Sequence, residues 1–132
     1  MSRSTFLVMS DFERLEEWCH KVHILLRATP FLVGSALSDP DYRDVDVRVI
    51  QDDKEFDLLY GSSRLRVRYL NRALSIWGQK ETGLIIDFQV QRRTQANRYD
   101  GRREPMGNRD WEDIPTSGTP SDQERIDIAK EN

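Results

Sequence analysis

The stretch DVDVRV, beginning at Asp44, constrains the fold more than any other part of the chain, because its polar and apolar residues alternate without a break. Successive side chains of a strand point to opposite faces, so Val45, Val47 and Val49 share one face while Asp44, Asp46 and Arg48 share the other. A second stretch repeats the pattern: Leu84, Ile86, Phe88 and Val90 fall on one face, and Asp87, Gln89 and Gln91 on the other. Both segments read as half-buried strands with carboxylates on the polar side. Two carboxylates on one strand face repel each other and oppose strand propensity, which asks for a compensating cation.

Helical spacing fills the intervals between these strands. Phe12, Leu15, Cys19, Val22 and Leu26 recur as one stripe, and Ser10 with Glu13 fits a capping box, predicting a helix over about 11–28. Pro30 ends it, and PFLVG follows as a short buried strand stopping at Gly34. Residues 35–43 read as a turn-rich connection or a short helical turn, and 51–61 as a short helix or turn. Ser62 or Ser63 can cap a second long helix reaching about Lys80, with Leu65, Tyr69, Ala73, Ile76 and Trp77 near its period. The fold class expected is therefore α/β, a small mixed sheet of three or four strands with the two long helices mainly on one face and the carboxylates on the other.

The chain has 132 residues, a length that suits one domain. A core over 1–93 is expected, followed by a polar segment over 94–132, rich in Gly and Pro, that leans on it; Ser121 could cap a short final helix through Ala129. No apolar run approaches the ~18 residues of a membrane-spanning helix. A single cysteine, Cys19, forms no internal disulfide, and the N-terminus lacks a secretory pattern, so a cytoplasmic location without membrane association is the expectation.

The net charge of −3 conceals a partition. Residues 1–61 are net −5, residues 62–110 net +6 and residues 111–132 net −4. An acidic stretch followed by a basic one suits a site holding metal on one side and phosphate on the other, and it also suits an ordinary solvated surface. Arg64, Arg68 and Arg72 share a helix face that is either solvated or reaches an anion. Cys19, His20 and His23 mimic a metal cluster, yet they lie within a core helix with no second cluster, and are assigned to structure, as are Trp18 and Trp77 to the core.

Three features converge on chemistry: Gly34-Ser35 directly after a strand, Asp44 and Asp46 two apart on the next, and Asp87 on the polar face of a later one. Carboxylates at i and i+2 of a strand can hold a hard cation between them, and Asp87 would complete the set if its strand pairs alongside. Gly34 lets the backbone approach a phosphate, Ser35 can donate to it, and Arg48 on the same polar face is a further substrate contact. The competing readings are a tight turn at Gly34-Ser35 and a salt bridge from Asp87 to Arg48.

VGSALSDPDYRDVDVRVI resembles the signature of the DNA polymerase beta nucleotidyltransferase superfamily, in which a strand leads to Gly-Ser and then to Asp-apolar-Asp, with a third acidic residue on a later strand such as IIDFQVQ supplies. The resemblance covers about 22–92, and the whole chain is similar to the small stand-alone nucleotidyltransferase-like proteins of bacteria and their phages. It implies a minimal nucleotidyltransferase fold that moves a nucleoside monophosphate from a nucleoside triphosphate to a hydroxyl of a protein, RNA or small molecule. It further implies Mg2+ or Mn2+ held by Asp44, Asp46 and Asp87, the last also a general base, with Gly34 and Ser35 on the phosphates. A different class of function remains open: a non-catalytic module of this fold that binds a protein partner, as an antitoxin or a binder of a host protein. A nucleic-acid binder using residues 62–110 is the third reading.

Overall fold

The computed structural model describes residues 5–107. They form α1 (Met9–Leu26), β1 (Pro30–Val33), α2 (Ser35–Ser38), β2 (Val45–Gln51), α3 (Asp53–Tyr60), α4 (Arg64–Thr82), β3 (Ile86–Arg92), α5 (Arg93–Ala96) and β4 (Glu104–Pro105). The four strands make one mixed sheet in the order β3-β2-β1-β4. β2 runs parallel to β3, whereas β1 is antiparallel to both β2 and β4. The α/β class is as the alternation requires. The expected helix capped by Ser121 lies outside the described residues.

The alternating strands bury the faces expected of them. Val45, Val47 and Val49 of β2 and Ile86, Phe88 and Val90 of β3 join Leu32 of β1 in a single core, which α1 completes with Leu15, Trp18, Cys19 and Val22. Trp18 stands edge-on to Trp77 at 5.9 Å and to Phe88 at 6.2 Å, spanning from helix to helix to sheet. Its ring lies against Gly78 so closely that a Cβ there would meet it at 2.7 Å, which lets α1 and α4 approach. Cys19 is buried within this core, as its place on the helix stripe demands.

Two local expectations are corrected. Ser10 does not cap α1: the helix begins two residues earlier than that cap would set it, at Met9, after an extended Val8 with no side-chain cap. Apart from Trp77, the apolar stripe read along α4 faces outward, since Leu65 and Tyr69 are 54% and 66% exposed. The side of α4 packed on the core is Val67, Leu70, Leu74 and Trp77. Between these, Asn71 and Ser75 accept hydrogen bonds at 2.9 Å from the backbone N–H groups of Val90 and Phe88. β3 is an edge strand, and α4 closes that edge with polar side chains that an apolar periodicity passes over. Ser63 does cap α4, accepting from Arg66 N.

Residues 94–107 stay on the domain. α5 packs against β2 and β3, and β4 adds the fourth strand, with Leu32 opposite Glu104. Gly107 then lies on α1, where its N–H donates to Glu16 Oε1 and its carbonyl meets His20 Nδ1 at 3.3 Å. No helix among the described residues is long and apolar enough to cross a membrane.

Candidate functional site

Strand register assembles the site. In the parallel β2–β3 ladder Asp46 is opposite Asp87, Arg48 opposite Gln89 and Ile50 opposite Gln91. In the antiparallel β1–β2 ladder Val33 is opposite Asp46. All of these sit on the face turned away from the core, because their neighbours Val45, Val47 and Val49 are fully buried on the other. Asp46 and Asp87 are thus held side by side by backbone pairing.

Arg48 binds both of them. Its Nη1 donates to the Asp87 carbonyl at 2.6 Å and to the Val47 carbonyl at 3.1 Å, and its Nη2 donates to Asp87 Oδ2 at 3.3 Å. The same Nη2 stands 3.8 Å from Asp46 Oδ1. The side chains of Arg48, Asp46 and Asp87 are 14%, 22% and 43% exposed, so the cluster is sunk at Arg48 and opens to solvent at Asp87. The salt bridge from Asp87 to Arg48, one of the two roles open to Asp87, is therefore made. It leaves Asp87 reachable and does not remove it from the site.

Burial pushes the Asp46 carboxyl above the usual carboxylate range. Arg48 opposes this, while the negative charges of Asp87 and Asp44 and a side-chain hydrogen bond with Asp87 add to it. Asp46 is thus an under-neutralised carboxylate, held against a second one, with a single guanidinium between them.

Asp44 stands apart. It lies just before Val45, where pairing with β3 begins, and its exposed side chain acts on Asp46 through charge alone. Two carboxylates converge rather than three, and among the described residues no group of three or more His, Cys, Asp or Glu side chains is arranged to hold a metal ion. His20 and His23 belong to α1, away from these residues in the fold.

Gly34 completes the arrangement. Its φ of 78° favours glycine, and a Cβ on it would overlap Asp46 Oδ2. The turn therefore carries the backbone directly against the carboxylate. Leu37 N donates to the Gly34 carbonyl at 3.1 Å, starting α2, of which half-buried Ser35 is the first residue. Thr5 and Phe6 donate to the Ala36 carbonyl and pin α2 in place.

A pocket of about 240 Å³ opens beside the cluster, lined by Val33, Asp46, Arg48, Ile50 and Gln91 from the sheet, by Gly34 from the turn after β1, and by Ala96, Tyr99 and Arg103 from the segment that crosses it. Ala96, Tyr99 and Arg103 were not legible as site residues: they lie in a polar stretch without periodicity, and the packing of α5 on β2 and β3 together with the pairing of β4 with β1 brings them over the sheet. Arg64, Arg68 and Arg72 do not line this pocket; they are exposed on α4.

The donor set fits one kind of metal site. Magnesium is usually held by one or two carboxylates together with substrate phosphates, and not by a complete protein cage. Asp46 and Asp87, adjacent and short of positive charge, match that requirement, whereas a cation needing a full set of protein ligands would find too few. In comparisons with known proteins the chain matches no family model, no curated protein and no solved structure.

Proposed function

We propose that the protein is a metal-dependent nucleotidyltransferase, moving a nucleoside monophosphate from a nucleoside triphosphate to a hydroxyl of a protein, RNA or small molecule. The observation that carries this reading is the pairing of Asp46 with Asp87 across β2 and β3, with the Gly34 backbone pressed against Asp46. A carboxylate pair supplies the negative charge that a metal–triphosphate complex needs, and a turn without a Cβ lets the Gly34 backbone, with its N–H, sit directly beside Asp46.

In this reading Asp46 and Asp87, with Asp44 nearby, would hold Mg2+ or Mn2+, which lowers the pKa of an attacking hydroxyl and neutralises charge developing on the phosphates. Asp87, the more exposed carboxylate of the pair, accepts the proton of the acceptor hydroxyl. That oxygen forms the new bond to the α-phosphorus as the bond to pyrophosphate breaks, and pyrophosphate leaves. Arg48 fixes Asp87 through its carbonyl and its carboxylate, keeping the base in position as the site's charge changes. Gly34 and Ser35 contact the phosphates.

The second reading, a non-catalytic module of the same fold that binds a protein partner, is favoured by one observation: a guanidinium already lies between the two carboxylates. The test incubates the purified protein with each labelled nucleoside triphosphate, magnesium or manganese, and a cell extract. Transfer of label to an acceptor is the expected result. Co-purification of one protein with no transfer of label would favour the module.

A further inference from the structure

We propose that residues 97–103 form a strap that competes with substrate phosphate for the backbone N–H of Gly34, so that the protein restrains its own site. The inference rests on reading Gly34 as a phosphate contact.

The strap is held at both ends. Asn97 N and Tyr99 N donate to the Arg93 and Ala96 carbonyls at its start, and β4 pairs with β1 at its finish. Between these anchors Tyr99 reaches down to the turn after β1, where its Oη accepts from Gly34 N at 3.3 Å and donates to the Arg102 carbonyl at 3.3 Å. Arg102 Nη2 donates to the Leu37 carbonyl at 3.3 Å, tying the strap to α2, and Arg103 Nη2 donates back to the Ala96 carbonyl at 2.7 Å. A phenolic oxygen therefore occupies the Gly34 N–H, a donor that the glycine turn presents next to Asp46.

Two further observations point the same way. The pocket beneath the strap is about 240 Å³, smaller than the roughly 300–1,000 Å³ of small-molecule sites, so with the strap in place it does not enclose a nucleoside triphosphate. Gly101 is exposed, yet a Cβ on it would overlap the Tyr99 hydroxyl and ring. The strap backbone thus folds against the tyrosine, and glycine at that position is what lets Tyr99 stay seated.

The competition has a direction. The N–H bond to a neutral phenol is weaker than one to an anionic phosphate oxygen by roughly a factor of two, so phosphate displaces Tyr99 and a neutral ligand does not. The strap would then select for anionic ligands and hold the site closed without them.

The test is calorimetric titration of the full chain with magnesium tripolyphosphate, comparing wild type, Tyr99→Phe and Gly101→Ala. Tyr99→Phe keeps the ring and deletes the hydroxyl; Gly101→Ala keeps the hydroxyl and displaces it. Both are expected to bind roughly 2- to 10-fold more tightly than wild type, the range that one neutral hydrogen bond supplies, and both should exchange the Gly34 amide proton faster in the free protein. Equal affinity in all three proteins overturns the strap. Weaker binding by Tyr99→Phe also overturns it, making Tyr99 a substrate contact. In both cases a loss of binding in Asp46→Asn keeps the reading of the site intact. Absence of binding by all three overturns the reading and the strap together.

Discussion

The two faces of the β2–β3 ladder are built from the same residues in alternation and held by opposite physics. On one face Val45, Val47, Val49, Ile86, Phe88 and Val90 are buried against α1 and α4, and every side chain gains by leaving water. On the other, Asp46 and Asp87 are forced together by the same register, and only Arg48 offsets their repulsion. The first face fixes the register; the second uses it to hold an arrangement that would not assemble on its own. Stability belongs to the core face and the proposed chemistry to the polar one, and substitutions should separate them.

The largest effect is expected on the core face. Phe88→Ala removes a fully packed ring touching Trp18 and should cost about 3–5 kcal/mol in denaturant unfolding. Gly34→Ala links the faces: its positive φ and the overlap with Asp46 should cost about 1–3 kcal/mol of stability and abolish nucleotide binding together. A Gly34→Ala protein with wild-type stability would show that the turn relaxes away from Asp46.

Asp46→Asn should do the reverse of Phe88→Ala, leaving the fold intact while most transferase activity is lost. Because the folded state raises the Asp46 pKa, the contribution of this group to stability is full below the ordinary carboxylate pKa and is lost as pH rises through the raised value. The variant should therefore melt slightly above wild type at neutral pH, and the difference should vanish on acidification. A melting temperature well below wild type at neutral pH would mean that Asp46 is a structural ion-pair partner.

The smallest effect is expected off the sheet faces, at Asp53. Hydrogen bonds from the Thr94 hydroxyl and backbone N–H hold its carboxyl below the usual range. Its contribution is present above the unfolded carboxylate pKa and lost as pH falls through the lowered folded value. Asp53→Asn should lower the melting temperature slightly at neutral pH and merge with wild type in acid, and its activity should be unchanged.

What could be read from the chain follows from how local each signal is. The alternation around Asp46 and Asp87 declares both strands and both faces, since a period of two needs only neighbours. That the aspartates meet depends on register, which the buried valines determine but do not announce. The outward stripe of α4 misled because Leu65, Tyr69 and Ile76 are apolar, whereas the packed side includes Asn71 and Ser75, placed there to satisfy the edge of β3. Asp44 was grouped with Asp46 by spacing, and its separation arises from lying before the first paired residue. Tyr99 carried no signal, because its role depends on a contact across 65 positions of sequence.

The central claim is that the polar face binds a nucleoside triphosphate together with a divalent cation, and calorimetry tests it most directly. The wild-type protein should bind ATP or GTP more tightly with magnesium than without it, since two carboxylates and the phosphates share the ion. In Asp46→Asn that enhancement should disappear while the protein remains folded. Equal nucleotide affinity with and without magnesium, unchanged in Asp46→Asn, would contradict the account.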